Sequence, residues 1–148
     1  MNELLNSLTE QQSNLQEFLG VVQKQQRALV ENNLTSLEES ISLEEKVLQK
    51  IEMTEKNREE IMKNLSSAYS IKIKSLSVSD FLKQIGNVNH PLVQKITELS
   101  DAIKTVITDI TKVNYQNKQL INHSRNFIKE TVNLVFGTSG SQLLDKRM

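Results

Sequence analysis

His90 and His123 are the side chains best suited to acid–base or metal chemistry near neutral pH. Neither has an Asp, Glu or His three or four positions away, so neither can join a helix-face metal pair, and both are expected at the surface. The chain has no cysteine, which excludes disulfides, thiol nucleophiles and zinc-thiolate sites. It has four glycines and no G-x-G-x-x-G, Walker, G-x-S-x-G or H-E-x-x-H pattern, so it offers no phosphate cradle or nucleophile elbow. A third set, Glu44, Glu55 and Arg58, puts charge on an otherwise apolar stripe. Such a set could serve catalysis or recognition, but the i, i+3 spacing of Glu55 and Arg58 suits an ion pair that fixes helix register. No enzyme chemistry, cofactor or metal is expected. What remains is the chemistry of binding surfaces.

The elements that position such surfaces are helices, since one proline and four glycines punctuate 148 residues. Leu8, Leu15, Val22 and Leu29 recur every seven residues beside Leu5, Gln12, Leu19 and Gln26, which predicts a first helix over about 2–30. Glu31-Asn32-Asn33-Leu34 breaks that pattern. Thr35 and Ser36, each followed three residues later by Glu38 or Glu39, offer overlapping capping boxes for a second helix over about 35–66. Its stripe is Leu34, Leu37, Ile41, Leu48, Ile51, Met62 and Leu65, and the short link predicts an antiparallel hairpin. Residues 67–90 read as a connector, with a short strand-like alternation at Tyr69, Ile71 and Ile73 and a possible short helix over 79–85 ended by Gly86. Pro91 opens a third helix over about 91–136, and Gly137 ends it. The fold expected is all-α, an elongated antiparallel three-helix coiled-coil bundle over 1–136 with one long C-terminal helix and a flexible tail over 137–148.

Halfway along the third helix the pattern changes. Leu92, Leu99, Val106, Val113, Leu120, Phe127 and Leu134 form one unbroken column. The second column, Ile96, Ile103 and Ile110, turns polar at Asn117, Ser124 and Thr131, while a new one begins at Ile121, Ile128 and Val135. The wider face of the C-terminal half either packs on neighbouring helices or meets something outside the monomer. Length favours the second outcome, because the third helix should overhang the second by roughly 20 Å. An overhanging apolar face needs a partner, a second copy or a folded-back tail. The residues on this face, placed to bind a partner, are Asn117, Leu120, Ile121, Ser124, Phe127, Ile128, Thr131, Leu134 and Val135.

Charge narrows the partner class. The chain carries 18 basic and 18 acidic residues, which argues against nucleic acid. Residues 1–74 are net −3 and residues 75–148 net +3, a weak mutual attraction that suits antiparallel packing. Glu3, Glu10 and Glu17 at the N-terminus are unlike a signal peptide, and the longest apolar run, near Phe18–Val22, is far too short to span a membrane. A cytoplasmic protein without membrane insertion is expected, as a monomer or weak homodimer.

The hairpin and long third helix resemble the FlgN-type flagellar export chaperones. Leu29, Asn33, Leu37, Lys46, Leu48, Glu55 and Arg58 carry most of the likeness, and Asn117-Lys118-Gln119-Leu120-Ile121 is similar to the family's pattern in its last helix. The resemblance implies a cytoplasmic chaperone that binds the aggregation-prone helical C-terminal segments of hook-filament junction proteins. It also implies delivery of those subunits to the export gate and the export ATPase complex. Many members carry a tail tyrosine before an acidic residue. Here Leu144 precedes Asp145, so Leu143 and Leu144 stand where export-gate docking would occur. The rival expectation is a structural coiled coil that self-assembles through the exposed face of its long helix.

Overall fold

The computed structural model describes residues 1–86 and 90–136, with the backbone alone for Ser124, Phe127, Ile128, Thr131 and Phe136. Among them the chain forms α1 (Asn2–Val30), α2 (Leu34–Ala68), α3 (Val78–Gln84) and α4 (Leu92–Phe136), and no strand. The chain is all-helical there.

The α1–α2 turn is set by two asparagines. Asn32 takes φ 52°, the left-handed region that asparagine tolerates better than most residues. The Asn33 amide then donates to the Ala28 carbonyl at 2.9 Å, closing the end of α1. Asn33 itself is extended and caps α2, its Oδ1 accepting from the Ser36 amide at 3.1 Å. The capping boxes at Thr35 and Ser36 are thus not used. The left-handed turn delivers Asn33 to the cap position first.

Cross-helix pairs fix the directions. Asn14 Nδ2 donates to Thr54 Oγ1 at 3.0 Å, Lys50 pairs with Glu17 at 3.2 Å, and Lys24 pairs with Glu39 at 3.5 Å, so α2 descends along the ascending α1. On α4, Asn117 Nδ2 donates to the Val22 carbonyl at 2.9 Å. The connector and α3 lie at the end of α2 and pack on the first turns of α4, so α4 ascends parallel to α1. Continuing that register puts Val30 level with Arg125, and the last turns of α4 project beyond α1 by roughly 16 Å.

The core differs from a symmetric three-helix seam. Both α2 and α4 pack along α1 and scarcely touch each other. As the middle helix, α1 buries three adjacent columns, adding Leu4, Phe18, Val21 and Ala28 to Leu8, Leu15 and Val22. Leu5 and Leu19, expected as the second column, sit at its margin. On α4 the buried column is Ile96, Ile103, Ile110 and Asn117, while Leu92, Leu99, Val106 and Val113 are half-buried. On α2 the residues facing α1 are Ser40, Val47, Thr54 and Ile61, and the larger Leu34, Ile41 and Leu48 stay exposed. Apart from Ile61, the α2 side chains that face α1 are small or medium-sized, and Leu34, Ile41 and Leu48 lie beside that seam.

The connector is packed, not merely a link. Ser77 caps α3, its Oγ accepting from the Asp80 amide at 3.4 Å. Phe81 and Ile85, four residues apart on one face, are fully buried with Val78 beside them. No strand forms at Tyr69, Ile71 and Ile73. Ser70 reverses the chain at φ 52°, and Ile71 and Ile73 pack against the core.

Candidate protein-binding groove

Because α2 and α4 rest on α1 from two sides, they leave a cleft with α1 as its floor. One column on each wall traces it. On α2 the heptad column runs Met62, Glu55, Leu48, Ile41, Leu34. Met62 is fully buried, but Leu48 and Ile41 are 44% and 45% exposed and Leu34 more so. On α4 the column runs Ser100, Ile107, Asn114, Ile121, Ile128, Val135. Ser100 is buried, whereas Ile107 and Ile121 are 46% and 50% exposed. Both columns begin under the connector and α3 and emerge above them. Among the described residues, the cleft is filled at its lower end and open along its upper length.

An ion-pair network closes the lower end. Arg58 donates to both carboxylate oxygens of Glu55, with Nε to Oε2 at 2.8 Å, and its Nη1 donates to the Leu76 carbonyl at 2.6 Å. Glu55 also accepts from Gln11 Nε2 at 3.0 Å, so α1, α2 and the connector meet at one pair. The register-fixing pair expected from the i, i+3 spacing is therefore present, with a further bond to the connector. The Arg58 hydrogen bond holds the Glu55 carboxyl below its ordinary 4.5 against the opposing effect of burial, and the carboxylate in turn raises Arg58. A carboxyl depressed in the folded state stabilises it above the unfolded value and loses that contribution as pH falls through the folded one. The melting temperature should thus fall on acidification below about 4.5 more steeply in the parent chain than in Glu55→Gln. Parallel pH–melting curves would remove the pair from the acid response.

The residues expected to bind a client fall in different places. Asn117 is buried in the α1–α4 seam rather than on an open face, and Leu120 is half-buried. Ile121 lines the groove, while Leu134 and Val135 are exposed on the projecting end of α4. The side chains of Ser124, Phe127, Ile128 and Thr131, and the tail residues Leu143 and Leu144, lie outside the described residues. The α2 wall, Leu34, Ile41 and Leu48, was expected inside the hairpin seam. Their heptad spacing marked an apolar face without saying which neighbour covers it.

His90 has a local role the sequence reading missed, its Nδ1 accepting from the Leu92 amide at 3.1 Å at the start of α4. Its position just before Pro91 was the available signal. Among the described residues, no three His, Cys, Asp or Glu side chains group as metal ligands would. No helix there is long and apolar enough to cross a membrane.

The family model described as FlgN protein matches residues 1–144 of the chain. No curated protein and no solved structure matches it.

Proposed function

The chain belongs to the FlgN family, a family of flagellar export chaperones, and on that premise we propose that it is a cytoplasmic chaperone for the helical C-terminal segments of hook-filament junction proteins. It shields those segments from aggregation and delivers them to the type III export apparatus. The observation that carries this reading is the pair of apolar columns that no helix of the chain covers among the described residues, Leu34, Ile41 and Leu48 facing Ile107 and Ile121. An amphipathic helix laid in an apolar groove is a standard way for one protein to hold another.

In this reading the client face combines the groove walls with the C-terminal half of α4. Leu120, Ile121, Phe127, Ile128, Leu134 and Val135 supply apolar contact, and Ser124 and Thr131 lie between them. Asn117 ends the internal seam and fixes the register of α4 on α1. Leu143 and Leu144 are proposed for docking at the export gate or the export ATPase complex.

Light scattering of a junction protein diluted from denaturant provides the test. The chain should suppress its aggregation, and Ile121→Asp with Val135→Asp should weaken that holding at least about tenfold, since a truncated anchor typically costs 1 kcal/mol or more. Both positions are exposed, so the melting temperature should barely move. A fixed higher oligomer that this double variant dissolves, with no effect on the junction protein, would favour the self-assembling structural coiled coil instead.

A further inference from the structure

The two walls of the groove end in edges of opposite charge. On α2, the column outside Leu34, Ile41 and Leu48 is Glu38, Glu45, Glu52 and Glu59, glutamate at every heptad step. The basic residues of α2, Lys46, Lys50, Lys56, Arg58 and Lys63, all fall on other columns. On α4, the column outside Ile107 and Ile121 is Lys104, Thr111, Lys118 and Arg125, with no acidic member. Among the described residues, none of the four glutamates closes an ion pair. A solvated helix face ordinarily mixes its signs to relieve repulsion. Here the column nearest each apolar wall keeps one sign, with Lys56 and Lys63 one column further out on α2 and Lys104 paired with Asp101 at 3.9 Å on α4.

We propose that the groove takes one amphipathic client helix whose apolar stripe has Lys or Arg on one flank and Asp or Glu on the other, and that the charged edges set the direction in which it lies. The proposal rests on the chaperone reading, which supplies the client. Turning such a helix end for end while keeping its apolar stripe down exchanges its flanks. The reversed helix would set its basic side against Lys104 and Lys118 and its acidic side against the glutamates. Like-charge juxtaposition of this kind discriminates between orientations more than it adds affinity. From Leu34 to Glu55 the open wall is roughly 30 Å long, which a helix of about 20 residues would fill. Glu55, bound to Arg58, which in turn holds the connector at the Leu76 carbonyl, marks the closed end.

The test is calorimetric titration of the full chain with the C-terminal helical segment of a hook-filament junction protein. Glu45→Lys with Glu52→Lys should weaken binding at least about tenfold at low salt, and the loss should shrink at about 1 M salt, where charges are screened within roughly 3 Å. Ile41→Asp with Leu48→Asp should weaken it at both. Since the chain has no cysteine, a spin label at Thr35→Cys reports which end of a labelled segment lies at the open end of the groove. One end should be near it in the parent. The opposite end should be near it when Lys104→Glu and Lys118→Glu are added to the glutamate exchanges. Unchanged low-salt affinity in the glutamate exchange, or the same end near the label in both chains, overturns the groove assignment while the chaperone reading stands. A parent chain that does not bind the segment overturns both. Two other results put a different occupant in the groove and also overturn the proposal: a dimer dissolved by Ile41→Asp with Leu48→Asp, or tenfold tighter binding after removal of Ser141–Met148.

Discussion

Phe81→Ala is expected to destabilise the chain by about 3–5 kcal/mol, lowering the melting temperature by roughly 10 °C or more. Phe81 is fully buried on the short helix α3, beside Ile85 and Val78. That helix has seven residues and could not persist alone. It forms because its apolar face packs on α4 and joins the common core, and the phenyl ring is its largest buried group. Removing the ring leaves a cavity that two long helices resting on a common third cannot easily close. Phe81→Leu should recover a large part of the loss. A melting temperature within about 2 °C of the parent for Phe81→Ala, which corresponds to well under 1 kcal/mol, would mean that the connector is not part of the cooperative core.

Arg58→Ala should cost about 2–4 kcal/mol, of which only part is the ion pair. The guanidinium is nearly buried and serves three acceptors, both Glu55 oxygens and the Leu76 carbonyl. Its loss strands a half-buried carboxylate and frees the connector from α2. Glu55 retains its bond from Gln11 and some access to water, which keeps the cost below that of a fully buried broken pair. In a double-mutant cycle, Arg58→Ala and Glu55→Gln together should cost clearly less than the two separately. Additive losses would show that the two side chains act independently.

The helices were legible because each carries long runs of heptad-spaced apolar residues with few breakers. α3 was legible from Ser79–Ile85 followed by Gly86. The partners of each face were not. Periodicity fixes the angle of a column around its own helix, but not which neighbour stands there. Leu34, Ile41 and Leu48 therefore read as the seam of the hairpin, while Ser40, Val47 and Thr54 actually face α1. Polar residues such as Ser40 and Asn14 are buried because a hydrogen bond satisfies each, Asn14 to Thr54 across the seam and Ser40 to the Leu37 carbonyl. Composition alone gives no sign of this. The groove depended on α1 standing in the middle, which no periodicity states.

The most direct test compares calorimetric titrations of the full chain with an intact junction protein and with one lacking its C-terminal helical segment. Saturable binding to the intact protein and none to the truncated one is the expected result. Equal binding to both, or to neither, would contradict it.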